Sequence, residues 1–271
     1  MSRISPHIYL SISPISHDSV SQLRTQNSLA NFLSADQHER LENINTPNRK
    51  AEFVGVRINL FNLYLKYELS LRRSVSTQAE VQLTQDTFGR PYLKLAKVST
   101  RDVQETIDTQ MNKENVEGVA IPSVSLSHSK QWLAAVISDQ SSIGIDIETP
   151  SRMVSEALKS RFFTQQEQKS VIFSEHPVWL WAIKEAVVKC IGKGIQADLT
   201  KVVVQMAAEE TLTRENWSID WHPSKPRGQE RVCRFFAHYA SMEWFEGRIW
   251  IHPLYVCAIA VPSQNEGGKN E

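Results

Sequence analysis

Ile143-Gly144-Ile145-Asp146-Ile147-Glu148 is the stretch on which the reading of this chain turns. Taken as a β-strand, it points Ile143, Ile145 and Ile147 to one face, which is core, and Gly144, Asp146 and Glu148 to the other. Two residues of strand rise leave the carboxylates roughly 7 Å apart along the backbone, close enough for both to reach one cation. Carboxylates this near repel unless a cation or a proton comes between them. Oxygen-only donors favour Mg²⁺ or Mn²⁺ over zinc. A solvent-facing polar edge would give the same Asp-x-Glu pattern.

Outward from this strand, Trp132-Leu133-Ala134-Ala135-Val136-Ile137 predicts another strand, and the polar link Ser138 to Ser142 suits a tight antiparallel turn between the two. Tyr255 to Val261 resembles the Trp132 run in composition, a hint of two similar halves. Val178 to Ile191 reads as a helix with two stripes. Leu180, Ile183, Val187, Cys190 and Ile191 are apolar, and Trp181, Glu185 and Lys189 recur four apart beside them. Lys184 lies at the border of the apolar stripe, and Gly192-Lys193-Gly194 supplies a left-handed cap.

Near the start, Ile8 to Ile12 predicts a first strand. Ser34 and Gln37 have capping-box spacing for a short helix, and Thr46-Pro47 opens a longer one. That helix carries Phe53, Val54, Ile58, Phe61, Leu65 and Leu69 at helical spacing, and Gly55 within it predicts close packing or a bend. Arg49, Lys50 and Arg57 read as a solvated basic face. Residues 97–117 are polar and aperiodic, an exposed insertion, and 263–271 read as a disordered tail.

Composition narrows the function classes. Hydrophobic residues at 41% and charged residues at 22% exclude a disordered or collagen-like chain. Thirty Lys plus Arg balance thirty Asp plus Glu, so the basic excess of a general nucleic-acid binder is missing, although a small pocket for one anion is compatible. No run approaches the roughly 18 apolar residues of a membrane span. The start lacks the apolar core of a signal peptide. Cys190, Cys233 and Cys257 show no metal spacing and read as reduced thiols of a cytoplasmic protein.

Ser127-His128-Ser129 invites a hydrolase reading. Neighbours in a strand face opposite ways, however, so Ser127 and His128 cannot be nucleophile and base, and no Gly-x-Ser-x-Gly elbow occurs. Hydrogen bonding and charge donation to a phosphate suit the pair better. In order along the chain stand Gly89-Arg90-Pro91, Ser127-His128-Ser129, Gly144-Ile145-Asp146-Ile147-Glu148, Phe162-Phe163-Thr164 with Glu167, Trp181-Ala182-Ile183-Lys184-Glu185-Ala186 with Lys189, and Gly192-Lys193-Gly194.

This series resembles the Sfp-like 4′-phosphopantetheinyl transferases, clearly from Gly89 to Gly194 and loosely elsewhere. The resemblance implies an α+β fold, a pseudodimer of two similar halves with the active site between them. The halves fall at residues 1–140, with the insertion, and 141–262, with the metal ligands. It implies Mg²⁺ (or Mn²⁺) held by Asp146, Glu148 and Glu185. Coenzyme A phosphates would meet Ser127 and His128, and the pyrophosphate would meet Lys189. Arg90, where the family often has lysine, would face the adenosine end, and Arg40 or Arg49 the 3′-phosphate. The implied reaction moves phosphopantetheine from coenzyme A, the substrate, to a serine of an apo acyl or peptidyl carrier protein and releases 3′,5′-ADP. Glu185 or a metal-bound water is the base, with Lys189 assisting. A cytoplasmic monomer with neither nucleic acid nor membrane as partner is expected.

Two competing classes remain. A metal-dependent nuclease would use Asp146, Glu148 and Lys184. A non-catalytic relative would grip a carrier protein without modifying it.

Overall fold

The computed structural model describes residues 8–71, 81–95, 121–209, 231–240 and 243–263. The insertion at 97–117 and the tail beyond residue 263 lie outside the described residues. The fold is a mixed α+β arrangement. In chain order it runs β1 (Ile8–Pro14), α1 (Ser19–Thr25), α2 (Asn27–Phe32), α3 (Ala35–Glu42), α4 (Pro47–Ser70), β2 (Val81–Gln85), β3 (Pro91–Leu95), β4 (Ser123–Ser129), β5 (Trp132–Ser138) and β6 (Gly144–Glu148). It continues with α5 (Glu156–Phe162), α6 (Gln165–Lys169), α7 (Val171–Glu175), α8 (Pro177–Ile191), β7 (Val202–Glu209), β8 (Arg231–Tyr239), β9 (Glu243–Ile251) and β10 (Val256–Pro262).

Among the described residues these strands form three antiparallel sheets, ordered β1-β5-β4, β6-β10-β9-β8-β7 and β2-β3. A long helix covers each of the two larger sheets: α4 lies on β5, and α8 lies on β6 and β10. Between these sheets, the isoleucine face of β6 shares one core with Ile8 and Leu10 of β1, Ala134 and Val136 of β5, and Ile259 of β10. The apolar reading of Ile143, Ile145 and Ile147 therefore holds, and those side chains join the two sheets.

The other face of β6 is not a solvated edge. All five residues of the strand are buried, with α8 packed across Gly144. A Cβ at Gly144 would stand 1.9 Å from the carbonyl oxygen of Ala186 and 2.5 Å from the amide nitrogen of Cys190, both backbone atoms that cannot turn aside. Gly144→Ala should therefore push α8 off the strand and cost about 3 kcal/mol, the upper end of the usual overpacking range. Thermal unfolding followed by circular dichroism checks this. A melting temperature equal to wild type would mean that the helix is free to shift.

Expectations about strand pairing, the α3 cap and the α4 stripe are corrected. The Trp132 and Ile143 runs are strands but do not pair through a tight turn. Strand β5 is already flanked by β1 and β4, so it has no free edge, and β6 pairs with β10 instead. Helix α3 starts at the expected place without its capping box. The Ser34 hydroxyl donates to the Leu83 carbonyl (2.7 Å) in β2, and Gln37 accepts from Arg57. In α4, Phe53 and Val54 are buried as expected and Ile58 and Phe61 pack half-buried against the core, but the buried face also takes in Val56, Leu60, Leu63, Tyr64 and Tyr67, and Leu69 is exposed. Gly55 does mark close packing: a Cβ there would come within 2.6 Å of the Leu133 side chain.

Candidate active site

Strands β4 and β6 run side by side without a backbone ladder, and alternate serines of β4 make the bonds instead. Ser125 Oγ accepts from the Ile145 amide (3.1 Å), and Ser127 Oγ accepts from the Ile147 amide (3.3 Å). Ser127 also donates to Asp146 Oδ1 (2.8 Å), and Ser129 donates to Glu148 Oε2 (2.9 Å). The period-two pattern Ser-x-Ser-x-Ser thus satisfies the otherwise unpaired amides of β6 and orients both of its carboxylates.

Helix α8 closes the site from the other side. Its Trp181, Glu185 and Lys189 are half-buried, while the rest of the helix from Ala182 to Cys190 is buried, so the second stripe is a distinct arc, as expected. Lys189 Nζ donates to Asp146 Oδ1 (2.7 Å) and to Ser127 Oγ (3.0 Å). Burial, followed by the nearby charge of Asp146, pushes the Glu185 carboxyl above the ordinary range, partly offset by Lys189 and Arg152. No hydrogen bond or ion pair among the described residues ties Glu185 down. Asp146 Oδ2 is buried and likewise without a partner among them. Glu148 is engaged at both oxygens, by Ser129 and by the Arg152 guanidinium. Among the described residues no three His, Cys, Asp or Glu side chains converge on one point in metal-binding geometry.

On the other side of β4, His128 is exposed and its Nδ1 lies 3.4 Å from Glu52 of α4. Ser127 and His128 face opposite ways, which disposes of a direct serine–histidine pair. Desolvation lowers the His128 pKa, with Lys189 and Arg57 adding to the effect against the attraction of Glu52. Arg57 is not part of a solvated basic face. It is buried, its Nε and Nη2 donate to Gln37 Oε1 (2.9 and 2.6 Å), and its guanidinium stacks 3.2 Å above the Phe53 ring. Burial, with some help from Arg40, pushes its pKa down to about 9. Arg40 and Arg49 are exposed, at the end of α3 and the start of α4.

The Gly89-Arg90-Pro91 motif forms the turn from β2 into β3, with Gly89 at φ +82° and Asp86 Oδ1 accepting from the Arg90 amide (2.9 Å). Arg90 lies against Gly192 at the C-terminal cap of α8, where a Cβ would come within 2.7 Å of its guanidinium. Gly192 is the left-handed cap the sequence predicted, at φ +80°. Arg90 also lines a cavity of about 300 Å³ with Asp86, Pro91, Tyr92, Ile121 and Pro122, which none of the three carboxylates reaches.

Residues 142–238 match the model of the 4′-phosphopantetheinyl transferase superfamily. Over that stretch, about a third of its length, the chain is similar to this superfamily. It is also 31% identical over 94 residues to the 4′-phosphopantetheinyl transferase psf-1 of Bacillus pumilus, an alignment that covers 32% of this chain and 40% of that protein. The chain therefore spans well under two thirds of the length of the curated relative it matches. The matched superfamily region contains β6 and α8, and so Asp146, Glu148, Glu185 and Lys189.

Within α8, Lys184 has a different job from Glu185 and Lys189. Its Nζ is buried, donates to the carbonyls of Phe162 (3.0 Å), Leu199 (3.2 Å) and Val202 (2.7 Å), and pairs with Glu167 at 2.8 Å. Glu167 in turn completes a capping box with Thr164 and accepts from the Val204 amide (3.1 Å). The Phe-Phe-Thr and Glu167 motif is thus a buried brace between α6, α8 and β7, and a nuclease-type role for Lys184 loses its support.

The sequence alone assigns no role to Ser125, Glu52 or Arg152, and quotes Ser129 within a motif without one. The serines were legible as a period-two run. Arg152 was signalled by the turn Thr149-Pro150-Ser151-Arg152, with proline at its second position and the Arg152 amide donating to the Thr149 carbonyl (2.9 Å). That turn folds Arg152 back onto Glu148.

Proposed function

We propose that this chain transfers the 4′-phosphopantetheine group of coenzyme A to a serine of an apo acyl or peptidyl carrier protein, releasing 3′,5′-ADP. The observation that carries the reading is the buried Asp146 of β6, whose charge acts on Glu185 and whose Oδ1 is held by Ser127 and Lys189 while its Oδ2 is left without a partner among the described residues. A buried carboxylate oxygen without a donor is costly unless a cation meets it. Asp146 and Glu185 fit a hard divalent cation such as Mg²⁺ or Mn²⁺, with Glu148 the third oxygen donor. When bound, Mg²⁺ supplies neutralisation of the negative charge on the pyrophosphate.

The protein's own groups do the rest. Lys189 is 30% exposed, so its ammonium can turn from Asp146 to a pyrophosphate oxygen with little rearrangement. His128 is mostly neutral in the free protein, and an arriving phosphate dianion draws a proton onto it. Arg90, at the cavity beyond the α8 cap, faces the adenosine end, and the exposed Arg40 or Arg49 meets the 3′-phosphate. Glu185, which no described side chain ties down, would keep one carboxylate oxygen for the proton of the attacking serine hydroxyl as the serine oxygen bonds to the β-phosphorus and the bond to 3′,5′-ADP breaks. The two helix-on-sheet units are the halves of the pseudodimer, divided near residue 140, with this site along the seam of β4 and β6. The protein acts as a cytoplasmic monomer.

Incubation with coenzyme A, Mg²⁺ and a panel of apo carrier proteins, followed by intact mass, tests the proposal. A phosphopantetheine adduct on the carrier is expected, together with coenzyme A affinity that falls as salt rises and is weaker for dephospho-coenzyme A. Carrier binding without an adduct would favour a non-catalytic relative.

A further inference from the structure

Glu148 is paired with Arg152, a residue to which the proposed reaction gives no role. Glu148 is buried and cannot move to water, whereas the Arg152 side chain is 36% exposed. The Thr149–Arg152 turn brings the guanidinium onto the free oxygen of Glu148, the other oxygen being held by Ser129. On its other side, the guanidinium carbon lies 4.8 Å from the centre of the Trp181 ring, on the α8 arc that carries Glu185 and Lys189. Three carboxylates, Asp146, Glu148 and Glu185, thus share two internal cations, Lys189 and Arg152. A divalent ion added while both stayed in place would overshoot neutrality by one charge. Releasing Arg152 to solvent restores the balance, and Arg152 is the more exposed of the two.

We propose that Arg152 is a placeholder cation: it holds Glu148 in the metal-free protein, competes with the incoming divalent ion, and so sets the metal affinity. This rests on the metal reading given above. The competition keeps a buried Glu148 paired when no metal is present, which avoids the large penalty of a lone buried charge. It also weakens metal binding by the free protein, because a fixed positive charge a few ångströms away opposes a divalent ion.

The test uses the full-length protein and MnCl₂ as the probe, at mildly alkaline pH and without coenzyme A. Free Mn²⁺ is read by electron paramagnetic resonance and the indole environment by tryptophan fluorescence. Arg152→Gln should bind Mn²⁺ on the order of tenfold more tightly than wild type, with Arg152→Lys in between. Wild type should also show an Mn²⁺-dependent change in emission as the guanidinium leaves Trp181. Arg152→Gln should lack that change, and so should Trp181→Phe, the control needed among seven tryptophans. Equal or weaker Mn²⁺ binding by Arg152→Gln, with wild-type binding intact, overturns the placeholder role and leaves the metal reading standing. If wild type, Arg152→Gln and Asp146→Ala all fail to bind Mn²⁺, the metal reading falls, and the placeholder role with it. Circular dichroism confirms that each variant is folded.

Discussion

Replacing Asp146 with alanine should lower carrier modification on the order of 10²-fold or more, the usual cost of losing one group that stabilises developing charge. The substitution removes the acceptor of both Ser127 and Lys189 and the buried oxygen that lacks a partner among the described residues. The fold should survive. Lys189 is partly exposed and can turn its ammonium to water, and Ser127 keeps the Ile147 amide as a donor. Loss of the Asp146 charge also relieves its repulsion of Glu185. Steady-state turnover at saturating Mg²⁺, read beside a thermal melt, checks both halves of the expectation. Turnover near wild type would remove Asp146 from the reaction. A collapsed melt would show that the carboxylate holds the β4–β6 seam together.

The largest loss of stability is expected at a residue outside the chemistry. Lys184→Ala leaves Glu167 buried without its cation and takes a donor away from the carbonyls of Phe162, Leu199 and Val202. Breaking a buried pair from one side typically costs about 3–5 kcal/mol. For a domain of this size that amounts to a fall in melting temperature of about 10 °C. The double variant Lys184→Met with Glu167→Gln should recover part of the loss, because no unpaired charge remains inside. Both side chains are buried, and desolvation lowers the Lys184 pKa despite the attraction of Glu167. Melting curves of the single and double variants decide the point. A single variant as stable as wild type would mean that water reaches Glu167.

The contrast between Lys184 and Lys189 shows what a sequence conveys and what it withholds. Both lie on α8, five residues apart, and both sit next to an apolar stripe. The period of the helix separates the arcs, and it correctly put Lys189 with Glu185 and Trp181. It does not say what each arc meets. Lys184 meets the carbonyls of three other segments and becomes a brace, whereas Lys189 meets a carboxylate on a neighbouring strand. Arg57 was misread for the same reason: it lies on the inner side of α4, over Phe53 and against Gln37 of α3, a relation across 20 residues of chain.

By itself, the sequence determined the features that depend on near neighbours. These are the alternation of β6, the two arcs of α8, the left-handed glycine that ends it, the opposed faces of Ser127 and His128, and a motif order specific enough to point to the superfamily. Each follows from backbone periodicity or from local steric limits, which a few residues set alone. Only the tertiary structure decided that β6 pairs with β10 rather than β5, that serines of β4 replace a backbone ladder along the other edge of β6, and that the carboxylate face is buried beneath α8. It also decided that Arg152 closes on Glu148 and stacks by Trp181. These outcomes depend on which edges are already occupied and which polar groups are left without water once the core has closed. That competition is settled by the whole chain at once.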